Sequence, residues 1–216
     1  MIYQIINSVL PVAILVLLGF IATKRNTFTY DQSLALLKYV GVIAVPVLTF
    51  KMIVTVNLND INWLLLFSYV SSEICIYMFA GLIAKYIFKL EWTEAILIAT
   101  ADTFSNHILF MYPIVLFAAG IILAHQIEKT QKNISNLIII FKILLHPLLA
   151  IFIIWTIHDI SFDISETTIM VASAPVGLMA LIFSTQYGVK PNAISVAILI
   201  TTILSIITIP LSGSLS

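Results

Sequence analysis

Residues 92–127 read WTEAILIATADTFSNHILFMYPIVLFAAGIILAHQI, a long run with no Lys or Arg and only two acids, Glu94 and Asp102. As one unbroken helix it would measure about 54 Å at 1.5 Å per residue, against about 30 Å for the hydrocarbon core of a bilayer. It is too long for one crossing and short for two. Asp102, Ser105, Asn106 and His107 interrupt its middle, and Pro113 and Gly120 follow. Proline removes a backbone donor and breaks the helical ladder. Broken backbone at membrane depth persists only when buried in protein or lining a water-filled cavity. The stretch therefore predicts short, broken helical legs inside a membrane protein.

The flanking sequence agrees. Of 216 residues, 61% are hydrophobic and 9% charged, where soluble domains run at roughly 45–50% and about 25%. A mean hydropathy of +1.13 spreads this excess along the chain. Apolar runs fall at 2–22, 33–54, 62–88, 92–127, 136–157, 167–187 and 192–211, with short polar punctuation between them. The first run has no basic residues before it and is too long for a signal-peptide core, so it reads as a retained helix. The runs are continuous rather than alternating, which selects helices over a β-barrel. The expected fold is all-α, one polytopic transmembrane helical bundle over 1–216.

Several function classes drop out. Ten basic residues balance ten acidic ones without a cluster, so nothing points to nucleic acid. Cys75 alone excludes a disulfide framework and any multi-cysteine metal site. His107, His125, His146 and His158 show no metal-ligand spacing, and no nucleotide loop or nucleophile elbow is present. No metal, no cofactor and no catalytic residue are expected.

The sixth run carries a second interruption, Ser173, Pro175 and Gly177. Paired interrupted segments are the best sequence pointer to a transporter's substrate site; the competing reading makes each proline a simple kink. Loop charges bear on the path of the chain. If 92–127 crosses once, the nine loop cations split five against four; if it enters and returns, eight share one face. Because Lys/Arg bias sets orientation, the second arrangement is expected, with 23–32, 85–94, 125–135 and 188–191 together on the cytoplasmic side.

Glu73, Asp102 and Lys142 lie inside apolar runs, where a charge is costly unless paired or hydrated. Glu73 adjoins Ser71 and Ser72, which could hold it structurally. Asp102 stands one turn before Asn106 and could serve a substrate, carry a proton or cap the broken helix. Lys142 and His146 are four apart, on one helical face ahead of Pro147. They could meet an anion, or pair with Glu73 or Asp102.

Three stretches resemble the auxin efflux carrier family of permeases. The first is Pro11 to Gly19, with Leu36-Leu37-Lys38-Tyr39-Val40 and Pro46-Val47-Leu48-Thr49-Phe50. The second is Asn106 seven residues before Pro113. The third is Lys142 to Pro147, then Ala174-Pro175-Val176-Gly177, Tyr187-Gly188, Ser195 and Thr201-Thr202 to Pro210. The resemblance implies an inverted-repeat transporter fold with two proline-broken helices crossing near the midplane. That family's usual ten helices exceed what this chain holds. Residues 1–117 resemble the first repeat without its last helix, and 118–216 the end of the second. The implied function is secondary transport of a small organic anion, such as a carboxylate or auxin-like acid. Asn106, Pro113, Pro175 and Gly177 would bind substrate, while Asp102, Glu73, Lys142 and His146 would serve coupling or charge balance. The implied setting is the plasma membrane of a bacterium, with lipid and the anion as partners and a homo-oligomer compatible. The alternative is a non-transporting remnant or an assembly subunit of a membrane complex.

Overall fold

Each of the seven apolar runs contributes helix. The computed structural model describes residues 2–57, 59, 61–103, 113–126, 132–156, 168–190 and 192–213. Helix α1 is Ile2–Lys24; α2, Tyr30–Tyr39, continues through a π-helical turn (π1, Val40–Ala44) into α3, Val45–Thr55. Next come α4, Trp63–Tyr86, α5, Trp92–Thr103, and α6, Pro113–Gln126. Helix α7, Lys132–Ile140, passes through a second π turn (π2, Phe141–Leu145) into α8, His146–Thr156. A short helical stretch at 168–172 (α9) precedes α10, Met179–Gln186, and α11, Asn192–Gly213, ends the bundle. Among the described residues three stretches, Tyr30–Thr55, Trp63–Tyr86 and Lys132–Thr156, are long and apolar enough to cross a membrane. The protein is an all-α helical membrane bundle.

Local chemistry sets the helix starts. Thr29 caps α2 by a reciprocal box: its hydroxyl accepts from Gln32 N at 3.3 Å, and Gln32 Oε1 accepts from Thr29 N at 2.9 Å. Asn62 caps α4, its side chain accepting from Leu65 N at 3.0 Å. The π turns have a cause two residues beyond them. Pro46 and Pro147 each stand second after a π turn and cannot donate to the preceding turn. The residue before each proline bonds five back instead, Val45 N–H to Val40 O and His146 N–H to Phe141 O. One widened turn absorbs the missing donor without ending the span.

Helix α6 lies at the centre, with Leu116, Ala118, Ala119, Ile121, Ile122 and Leu123 buried. Helix α1 crosses it backbone to backbone. A Cβ added at Gly19 would overlap the Phe117 carbonyl oxygen, and one at Gly120 the Val16 carbonyl oxygen. Such close approach through small residues is how helices gain packing energy in lipid. Helices α4 and α5 pair through Ala80, Ala84, Ala95 and Ala99. By contrast the described side chains of α3 beyond Val45 are exposed, apart from half-buried Leu48.

The chain turns gather at one end. Tyr30, Glu91, Thr93, His125, Ile134, Gly188 and Asn192 all line one cavity there. Described residues from each of 85–94, 125–135 and 188–191, with Tyr30, thus meet at one cavity, as the enter-and-return reading expects of them. The described lengths of α5 and α6 are 12 and 14 residues, about 18 Å and about 21 Å. Lys38 and Lys51, tallied above with the loops, stand instead on α2 and α3.

Candidate functional site

The sixth run breaks where Ser173, Pro175 and Gly177 predicted. After α9 the chain leaves helical geometry over 173–178, and Pro175, Val176 and Gly177 are all buried there. Buried non-helical backbone needs partners, and α11 supplies them. Val176 N donates to Thr201 Oγ1 at 3.1 Å, and Thr208 Oγ1 donates to Ser173 O at 3.3 Å. Thr201 and Thr208 are seven apart, two turns, and so share a face. Ser195, Thr202 and Ser205 are also buried on α11. Sequence reading noticed Thr201 but not Thr208; hydroxyls at seven-residue spacing on an apolar helix were the available signal. Helix α10 begins with no side-chain cap at Leu178, so the N–H groups of its first turn have no intrahelical partner.

A second group of polar side chains sits at the inner end of α5. Lys142, in π2, and Asp102 and His146 are 0% exposed. Lys142 Nζ donates to Thr103 O at 3.2 Å and lies 3.1 Å from His146 Nδ1. It thereby places a cation on the C-terminal carbonyls of α5, where the helix dipole favours one. With Lys142 as an ammonium, which has only donors, Nδ1 accepts and the ring proton resides on Nε2. The His146 ring lies against the Asp102 main chain. Its Nε2 and both Asp102 carboxylate oxygens are buried without a well-formed hydrogen bond among the described residues. Among the described residues Asp102 caps no helix. Glu73, half-buried on α4, bonds Tyr69 rather than its serine neighbours. Ser71 and Ser72 donate to Phe67 O and Tyr69 O of their own helix, each at 2.7 Å. Glu73 and Asp102 are the acids whose charge reaches Lys142.

Helix α11 joins the two groups, packing on π2 while holding the break at 173–178. Helices α5 and α10 pack together. Both run between the turn end and the interior, so the inner end of α5 and the first turn of α10 lie at similar depth. Pro113 is the first described residue of α6. Asn106 and His107 fall outside the described residues. The cavity at the turn end, about 920 Å³, includes Glu91, Glu94, His125 and Lys190 but none of the predicted site residues. Among the described residues no group of three His, Cys, Asp or Glu is placed to hold a metal ion.

A stretch of 103 residues is 29% identical to the lysosomal cholesterol signaling protein of Mus musculus, covering 47% of this chain and 12% of that protein. The chain thus matches a small part of that relative's length. The family described as membrane transport protein matches residues 4–115 and 109–212, two stretches that overlap at 109–115 and together take in nearly the whole sequence. With a broken, buried helix and intramembrane polar groups already in place, this match assigns the chain to the membrane transport protein family.

Proposed function

We propose that this chain is a secondary transporter for a small organic anion, a carboxylate or auxin-like acid, seated in the plasma membrane of a bacterium. The observation that carries the reading is the first turn of α10, without a side-chain cap, beside a buried break that α11 holds at Val176 N and Ser173 O. First-turn N–H groups, which have no partner within their own helix, and the positive end of a helix dipole suit a carboxylate, and half-helix termini at midplane are how transporters of this architecture hold anionic groups. Lys142 adds a cation within the same bundle. Asn106, Pro113, Pro175 and Gly177 are the proposed substrate contacts and break formers.

Uptake of labelled malate and of an indole-acid auxin into proteoliposomes tests this. Accumulation driven by an ion gradient is expected in wild type and should collapse in Pro175→Ala, which restores the helical ladder. Normal transport by folded Pro175→Ala would overturn the broken-helix mechanism. A second reading, a non-transporting assembly subunit, is favoured by α3, which leaves Val47, Phe50, Ile53 and Val54 more than 60% exposed. Absence of any uptake, with stable co-purification of a membrane partner, would select it.

A further inference from the structure

We propose that Asp102, His146 and Lys142 form a proton relay that couples anion movement to protons, an inference resting on the transporter reading above. Lys142 Nζ meets two acceptors, Thr103 O at 3.2 Å and His146 Nδ1 at 3.1 Å. The second fixes the imidazole proton on Nε2. That leaves one buried donor, His146 Nε2–H, and two buried acceptors, the Asp102 oxygens, with no hydrogen bond among the described residues. Orphaned buried donors and acceptors of this kind recruit a bridging water, and one water between Nε2 and the carboxylate completes a path.

The transfer balances. The Nζ–H bond of Lys142 breaks as a proton bonds Nδ1; the Nε2–H bond breaks and, through the water, an O–H bond forms on Asp102. Lysine ammonium, imidazole and carboxylate become lysine amine, the other imidazole tautomer and carboxylic acid. Total charge is unchanged, and a buried ion pair becomes three neutral groups. A proton arriving at either end can therefore be passed on and released at the other.

The surrounding groups do not short-circuit this path. Helices α10 and α11, packed on α5 and π2 respectively, present no titratable side chain in their described lengths. Helix α4 contributes Glu73 with Tyr69, which are hydrogen-bonded to each other, and Tyr77. Intramembrane chains of Asp, Glu and His are the usual material of proton relays. A purely structural charge cluster would need no orphaned donor and acceptor at its centre.

The test uses the full chain in proteoliposomes, labelled malate outside and a pH-reporting dye inside. With one proton per anion, each unit of inward pH gradient raises malate accumulation up to about tenfold, and the lumen acidifies with uptake. Asp102→Asn, which keeps shape but cannot ionise, is expected to take up malate at a rate independent of outside pH and without lumen acidification. Wild-type uptake indifferent to pH, or equal pH dependence in Asp102→Asn, overturns the relay. If malate is not moved at all, the transporter reading loses that substrate, and infrared spectra in lipid still judge the relay. A protonated-carboxyl C=O band present in wild type and lost in Asp102→Asn supports it; identical spectra of the two folded proteins overturn it.

Discussion

The two π turns are built alike and used differently. In each, a proline two residues onward forces an i−5 bond, so the backbone device is the same. In π1, VGVIA, the turn presents only apolar groups, and Gly41 lets α10 come close: a Cβ there would lie 2.8 Å from Ile182 Cγ2. In π2, FKILL, the turn carries Lys142 into the interior at 0% exposure, with His146 just beyond it. The proline decides where the helix widens. The side chain in the widened turn decides whether the site packs or does chemistry.

The sharpest way to separate the two is to remove the chemistry from π2. Lys142→Met takes the donor from Thr103 O and His146 Nδ1 and leaves Asp102 buried without its cation. Breaking a buried charge arrangement in this way costs about 3–5 kcal/mol. A corresponding loss should appear in denaturant unfolding in mild detergent, together with loss of malate uptake. A Lys142→Met protein as stable as wild type would mean that π2 is used no differently from π1.

A smaller effect is expected at the crossing that supports both spans. Gly120→Val would drive a branched side chain into the Val16 carbonyl, and overpacking of this sort typically costs about 1–3 kcal/mol. Gly41→Val at π1 meets the movable Ile182 side chain rather than backbone, so it should cost less than Gly120→Val. Pairing it with Ile182→Ala should recover part of the loss, and a double-mutant cycle reads that coupling. Equal costs at Gly41 and Gly120 would contradict the distinction.

At the break itself, Thr201→Val would strand the Val176 N–H. An unsatisfied buried donor costs about 1–3 kcal/mol, whereas Thr208→Val leaves only a carbonyl with a weakened partner and should cost about 1 kcal/mol or less. Thermal unfolding of the two variants should rank them in that order. The reverse ranking would mean that the break is held mainly through Ser173.

Much of this was legible in the sequence because membrane helices announce themselves by apolar length. The break at 173–178 was legible from Ser173, Pro175 and Gly177, and the pairing of Lys142 with His146 from their four-residue spacing. Other features were hidden for physical reasons. Helix α2 begins at Tyr30, ahead of its apolar run, because a first turn capped by Thr29 can be polar. Lys38 read as a loop cation while standing in the last turn of α2, where a cation suits the helix dipole. The partner of Lys142 is a main-chain carbonyl, Thr103 O, which no side-chain pattern encodes. Gly19 and Gly120 touch across a long sequence separation, and each is a single glycine rather than a repeat motif. The π turns had a signal in Pro46 and Pro147, but proline alone does not say whether a helix kinks, stops or widens.

The smallest expected stability change is the most informative about the comparison. Pro46→Ala and Pro147→Ala each restore one backbone donor, so either helix can relax from an i−5 bond to regular α geometry, with a net change of about 1 kcal/mol or less because packing now opposes the relaxation. Closing a π turn removes one residue from the turn and rotates everything before it by about 100°. In Pro46→Ala that rotation moves α2, which carries none of the proposed site residues, and uptake should stay within about threefold of wild type, less than 1.4 kcal/mol of barrier. In Pro147→Ala the same rotation carries Lys142 off Thr103 O and His146 Nδ1. Uptake and its pH dependence should then fall well over tenfold, a loss above about 1.4 kcal/mol, while the protein unfolds near the wild-type midpoint. Equal effects of the two substitutions on uptake would show that the π turns matter only as backbone, and would remove Lys142 from the transport mechanism.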